Sequence, residues 1–259
     1  MNHGIVHIPC KGLRKEPSEQ SEMTSQLLFG EIFETSEKSP GWLLIKNEFD
    51  GYEGWISQSG IALLAEEKLL QYRNYSKCIQ PDTFLSLQRS SGEERMLIPA
   101  GSVVYYEENA PLKVHCGETY RMENPCRKIS GDLTGRIIKT GRQFLNTPYL
   151  WGGKSTYGTD CSGLVQTVFK ILGLSLSRDT SLQVTQGTAV NMLPEARTGD
   201  LVFFDNDEGE IVHVGILMEP GLVLHASGLV RIDPIDHQGI YSRELKRYTH
   251  KLRVIKRVI

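Results

Sequence analysis

The chain lacks any apolar run near the ~20 residues needed to span a bilayer. Its start, Met1 to Cys10, has neither a basic segment nor the apolar core of an export signal. It lacks an excess of either charge: 29 basic residues face 31 acidic ones, for a net charge of -2. Neither nucleic acid nor an anionic membrane is therefore expected as a partner. It also lacks a CxxC pair among Cys10, Cys78, Cys116, Cys126 and Cys161, which argues against a zinc ribbon or a redox dithiol. Cys116 and Cys126 can bridge, but an odd number at irregular spacing is read here as buried free thiols. That reading fits a reducing compartment and a cytoplasmic protein, or a periplasmic or secreted one if a leader was removed. Low-complexity stretches are absent. What remains is ordinary globular composition, 39 % apolar and 23 % charged.

The sequence divides near residue 126. Before it come short strand-like runs closed by Gly, Pro or Asn: 42–46, 52–56, 83–87, 95–98 and 102–106. Asn47 to Gly51 reads as the turn between the first two. Many short strands at this spacing predict small β-barrels, one over 1–62 and a second over 63–126. The remainder, 127–259, is mixed. Leu133, Ile137, Ile138, Phe144 and Leu145 recur at helical spacing and predict a helix over 132–146. A second helix is predicted from Cys161 to Gly173. Strand-like runs at 200–204, 212–218, 222–226 and 252–259 follow, so this part is an α+β domain.

Gly158-Thr159-Asp160-Cys161-Ser162-Gly163 opens the second helix. Asp160 or Thr159 can cap its free amides. Cys161 then sits where unpaired N–H groups and the helix dipole favour a thiolate, and the same amides can bind an oxyanion. Asp160 opposes this, because a neighbouring carboxylate raises a thiol pKa.

Downstream, Val212-His213-Val214-Gly215 and Leu224-His225-Ala226 flank Glu219-Pro220-Gly221. A three-residue loop ending in a left-handed Gly places Met218 opposite Leu222 and His225 opposite Gly215. His213 and His225 then share one face as diagonal neighbours. Cys161 as nucleophile, His213 as base and His225 as its orienter form the logic of a triad. His3, His7, His115, His237 and His250 have no such context, and no chemistry is assigned to them.

Five segments in order, Tyr149-Leu150-Trp151-Gly152-Gly153, Thr159 to Val165, Thr198 to Phe204, His213 to Ile216 and Leu224 to Ser227, resemble the NlpC family of bacterial cell-wall cysteine peptidases. The resemblance covers about residues 130–259. It implies a papain-like fold, a nucleophile helix on an antiparallel sheet, with Cys161, His213 and His225 as the triad. It implies that Tyr149 helps the oxyanion site. Ser177 to Gln183 resembles the family's R-D-S/T-x-x-Q stretch. There Asp179 faces substrate, Ser162 and Thr180 donate hydroxyls, and Arg178 either binds a substrate carboxylate or lies on the surface.

The first half resembles bacterial SH3 domains fused to this peptidase in one branch, which cuts the γ-D-glutamyl–diamino acid bond of short murein peptides bearing a free L-alanine amine. Glu22 is the candidate carboxylate for that amine, and Tyr52 the candidate wall of that subsite. A monomer with no metal or cofactor and a role in cell-wall peptide recycling is expected. The rival readings are an amidase or acyltransferase of the same fold, a wall-binding protein with an inactive catalytic domain, and a zinc protein using Cys161, His213 and His225.

Overall fold

The computed structural model describes residues 2–127 and 129–259. The chain separates into two compact units: residues 1–129 with 151–156, and residues 130–150 with 157–259.

In the first unit, the β-rich pattern becomes strands β1 (His3–Val6), β2 (Cys10–Arg14), β3 (Met23–Leu28), β4 (Ile32–Ser39), β5 (Trp42–Asn47), β6 (Glu53–Ser57) and β7 (Ile61–Leu64). They form one antiparallel sheet in the order β3-β2-β6-β5-β4-β1-β7. Alternating side chains of these strands, among them Leu13, Leu27, Phe33, Leu43, Ile45 and Ile56, fill its core, and Tyr52 packs against it. The turn expected at 47–51 is present: Gly51 (φ 70°) donates its N–H to Asn47 O at 2.8 Å.

Helix α1 (Glu66–Asn74) leads into a second sheet of β8 (Ser76–Ile79), β9 (Phe84–Arg89), β10 (Arg95–Pro99), β11 (Val103–Glu107), β12 (Ala110–Cys116) and β13 (Glu118–Met122). The two sheets are not separate in packing. One apolar cluster joins Ile5, Phe29 and Ile32 of the first to Leu87, Val104 and Val114 of the second. Gly30 (φ 78°) sits where the carbonyl of Val103 would collide with any Cβ.

The short strand β14 (Lys154–Ser155) also belongs to this unit. Lys154 Nζ lies 3.3 Å from Glu31 and 3.8 Å from Asp50, and all three side chains are 1 % exposed. An ammonium so deeply buried needs such partners to stay charged.

Cys78 and Cys126 form a disulfide, while Cys10, Cys116 and Cys161 are free. This corrects the expectation of free thiols, and the bridge that forms joins Cys126 to Cys78, not to Cys116. Cys116 is buried and donates instead to Val6 O at 3.1 Å. The bridge withdraws the cysteine-based argument for a reducing compartment.

In the second unit, α2 (Leu133–Arg142) starts on Asp132, whose carboxylate accepts the Gly135 N–H at 2.9 Å. It ends before the expected residue 146, because Asn146 turns left-handed (φ 67°) and Pro148 disfavours helix at Thr147. After β15 (Gly158–Thr159) comes α3 (Cys161–Ile171), which is buried from Cys161 to Lys170. Next are the single turn α4 (Thr180–Gln183), β16 (Thr188–Val190), β17 (Leu201–Asp205), β18 (Ile211–Glu219), β19 (Leu222–Ser227), β20 (Leu229–Pro234), β21 (Gly239–Ser242) and β22 (Arg247–Arg257). The antiparallel sheet runs β16-β22-β17-β18-β19-β20, with β21 on β22. Helix α3 packs on β18 and β19. This is the expected nucleophile helix on an antiparallel sheet, and the fold is α+β.

In denaturant without reductant, a thiol reagent is expected to titrate three of the five cysteines; five would disprove the bridge. Its closure spans 48 positions, a constraint worth about 4 kcal/mol in the chain-entropy account. Reductant is therefore expected to lower the melting temperature of the first unit.

Candidate active site

Asp160 holds an extended conformation before α3, and its Oδ1 accepts the Gly163 N–H at 2.7 Å. A cap of this kind fixes where the helix begins, and so places Cys161 in its first turn. Cys161 Sγ lies 3.9 Å from Thr180 Oγ1. The backbone N–H groups of Val214, on β18, and of Ser162, in its own helix, act with Thr180 to lower the thiol's pKa. Among the described residues, no hydrogen bond joins the thiol to the His213 ring directly. Such contacts often tighten only when substrate binds.

The Asp160 charge is met by Arg178, whose fork donates to Oδ1 at 3.1 Å and to Oδ2 at 2.6 Å, and to Ser162 Oγ at 2.8 Å. Arg178 is 2 % exposed. This corrects the surface position weighed for it: the side chain is buried, and it bonds to the cap of the nucleophile helix. Ser162 is buried in the same network, donating to Asp160 at 3.3 Å. Gln183, which carries no chemistry in the sequence reading, is buried and donates to Ser162 O and Ser177 O at 3.0 and 2.8 Å. Asp179 stands at the N-cap of α4, beside Thr180. Tyr149 is 37 % exposed, and burial, with the Cys161 and Asp160 charges adding to it, pushes its hydroxyl up to about 12. At neutral pH it is a proton donor.

The hairpin of β18 and β19 pairs Gly215 with His225 as expected. The turn differs: Glu219 faces Leu222, and Met218 is an extra residue, not the partner of Leu222. The bulge absorbs the one-residue difference between a two-residue and a three-residue loop, so the His pairing survives. A Cβ at Gly215 would meet Val223 Cγ2 at 2.5 Å; glycine there lets the strands approach. His213 Nε2 and His225 Nδ1 are 3.0 Å apart, with the rings nearly perpendicular at 86°.

Two further partners escaped the sequence reading. His225 Nε2 lies 3.1 Å from Asp233 Oδ2 on β20. Arg231 holds that carboxylate at 2.8 Å and also pairs with Glu244 at 3.1 Å. His250, assigned no chemistry above, stacks on His213 with centroids 4.2 Å apart and a 26° tilt. Register carries the missed signal for Asp233: Arg231 faces His225 on the adjacent strand, and Asp233 lies two residues on, on the same face.

The donor atoms of His213, His225 and His250 all lie within 4.8 Å, the one grouping among the described residues able to gather a metal ion. It does not include Cys161. Stacked rings point their in-plane lone pairs side by side, so His250 would have to tilt before sharing an ion with His213.

Burial, then the Asp160 charge, raises the Cys161 thiol, against hydrogen bonds from Thr180, Val214 and Ser162 that lower it. The helix terminus therefore does not carry the balance expected of it. Burial, reinforced by His250 and His225, holds His213 well below its usual value. Burial, with His225 next, takes His250 down to about 4. At neutral pH the site starts as a neutral thiol and a neutral imidazole.

Arg178→Met is expected to cost roughly 3–5 kcal/mol, because it strands a buried carboxylate. Arg178→Lys should restore only part, since an ammonium lacks the fork. Denaturant unfolding of both variants reads this. Alkylation of Cys161 by iodoacetamide is expected to keep rising with pH above neutrality, as the raised thiol ionises. A plateau reached by about pH 5 would instead indicate a preformed thiolate–imidazolium pair.

Residues 146–249 match the NlpC/P60 family, and residues 13–61 match the bacterial dipeptidyl-peptidase SH3 domain. A γ-D-glutamyl-L-lysine dipeptidyl-peptidase of Bacillus subtilis is 32 % identical over 217 residues, covering 78 % of this chain and 71 % of that protein. The Bacillus cereus protein of the same name is 27 % identical over 252 residues, covering 85 % and 72 %. In fold, a crystal structure of a Bacillus cereus NlpC/P60 family protein matches with a TM-score of 0.83 at 18 % identity, over 99 % of both chains. An NlpC/P60 endopeptidase of Photobacterium damselae matches with a TM-score of 0.71 at 18 % identity, over 97 % of this chain and 70 % of that one. The chain belongs to the NlpC/P60 family of cysteine peptidases and carries the SH3 domain of bacterial dipeptidyl-peptidases ahead of its catalytic domain.

Proposed function

We propose that this peptidase hydrolyses the γ-D-glutamyl–diamino acid bond of short murein peptides that retain a free L-alanine amine. The observation that carries the chemistry is the His213–His225 hydrogen bond across β18 and β19, the two strands on which the Cys161 helix packs. The substrate class rests on the similarity to the two named dipeptidyl-peptidases. A role in wall-peptide recycling follows from such small substrates.

In the proposed reaction Cys161 gives its proton to His213 Nδ1 while its sulfur bonds to the γ-carbonyl carbon. Amides at the head of α3 and the Tyr149 hydroxyl receive the oxyanion. The intermediate collapses, the C–N bond breaks, and the departing amine takes the proton from His213. Water then attacks the thioester, giving a proton to His213, and the acid leaves as the thiol is restored.

Asp179 and Thr180 border the nucleophile and are the proposed contacts to the peptide. The closed bonding of Arg178 and Ser162 around Asp160 favours positioning for those two over substrate contact. Glu22 is the proposed partner of the free amine. Its Oε1 accepts the Trp151 indole N–H at 2.9 Å, which restrains the carboxylate. Tyr52 packs on the barrel core, which favours a supporting role.

Mass spectrometry of L-Ala-γ-D-Glu-diamino acid digests tests the reading. Cleavage at the γ-glutamyl bond is expected, abolished in Cys161→Ala and much slower on N-acetylated peptide. Glu22→Gln should narrow the gap between free and acetylated peptide. Equal rates on both substrates in the unaltered protein would reject the amine requirement, and retained turnover in Cys161→Ala would reject the mechanism.

A further inference from the structure

We infer that Asp233 is a positioning residue that sets the tautomer of the base from two residues away, through His225. This rests on His213 being the general base, but its structural content can be tested without turnover.

The argument is one of donors and acceptors. Burial alone would raise the Asp233 carboxyl, but hydrogen bonding to His225 and the Arg231 guanidinium hold it below the usual carboxylate range. An ionised carboxylate only accepts. Its Oδ2 sits 3.1 Å from His225 Nε2, so that nitrogen carries the hydrogen. In neutral His225 the other nitrogen, Nδ1, is then a bare lone pair. That lone pair faces His213 Nε2 at 3.0 Å, so His213 Nε2 must be the donor. The second nitrogen of His213, Nδ1, is left unprotonated, the form able to accept the thiol proton. Each step follows from the one before, and the series starts at a charge fixed on β20.

The surroundings keep the order from reversing. Arg231 donates to both carboxylate oxygens, at 2.8 Å from Nε and 3.4 Å from an Nη, and Glu244 occupies another part of the same guanidinium. Asp233 and His225 are both buried, so water competes little for the 3.1 Å contact. The stacked His250 ring covers one face of His213 without occupying its Nε2. With Asp233 removed, nothing else among the described hydrogen bonds of His225 chooses between its tautomers. His213 then spends part of its time with the hydrogen on Nδ1, facing the wrong way.

Long-range ¹⁵N–¹H spectra of the imidazoles in the full-length protein near neutral pH give the first test. The expected pattern is hydrogen on Nε2 of both His213 and His225. Hydrogen on Nδ1 of His225 in the unaltered protein overturns the inference whatever the activity.

Two variants give the second test. Asp233→Ala is expected to lower kcat on the order of 100-fold with KM within about 2-fold, and to give mixed tautomers. An imposed wrong tautomer in a serine peptidase triad costs ~10⁴ in kcat, which bounds the effect. Asp233→Asn is expected to recover kcat and the single-tautomer spectrum in part, to the extent that its carbonyl takes the Oδ2 position shared by His225 Nε2 and Arg231 Nε. Unchanged kcat and an unchanged imidazole pattern in Asp233→Ala would overturn the inference. Equal losses in both variants, tracking melting temperature with the pattern intact, would do the same. Should the unaltered protein show the expected tautomers while Cys161→Ala stays active, the hydrolytic reading fails and the tautomer relay stands.

Discussion

A full negative charge beside a nucleophilic sulfur is the constraint around which this site is arranged. Asp160 caps α3, yet it is buried and adjacent to Cys161. The bidentate pair with Arg178, tightened by Ser162 and the Gly163 amide, satisfies that carboxylate with charge-assisted bonds. A lone carboxylate in that place would be too costly to keep. The consequence reaches the chemistry. Burial, with the Asp160 carboxylate adding to it, keeps the thiol from ionising easily, so in the proposed reaction the burden of proton removal falls on His213.

As the proposed base, His213 is suited to that burden by staying neutral. Its burial between Phe204, His225 and His250 disfavours the imidazolium, which keeps a lone pair available at neutral pH. The same burial would penalise the charge that appears on the ring during attack. A carboxylate on the far side of His225 lessens that penalty, because a fixed negative charge in a poorly solvated place acts more strongly than in water. Stabilising the resting base and stabilising its charged form are opposed demands, met by different neighbours.

The parts of the site legible in the sequence were those written locally. The cap at Asp160, the helix after it and the hairpin bearing both histidines follow from residues within a few positions of one another. The hairpin inference tolerated an error in loop length, because the bulge at Met218 restored the pairing of Gly215 with His225. The missed residues come from strands with weak signals. Asp233 lies in Leu-Val-Arg-Ile-Asp-Pro, and His250 in the polar first half of β22, ahead of the apolar alternation that begins at Leu252. The Cys78–Cys126 bridge joins segments brought together only by the second sheet. The thiol pKa was misjudged for a different reason: a helix-terminus effect can be read from sequence, whereas the desolvation that outweighs it depends on α3 being enclosed.

The six residues 151–156, which belong to the first unit although both flanks belong to the second, bear on how this protein can be divided. The polypeptide passes between the units three times, at 129–130, 150–151 and 156–157, so no single cut releases an intact hydrolase. A fragment beginning at Ser130 would still contain Lys154, stripped of Glu31 and Asp50, and would present that ammonium and its apolar stem to solvent six residues before Asp160. Gene fusions, truncations and proteolytic dissection would therefore disturb the entry to the nucleophile helix even when every residue of the triad is retained.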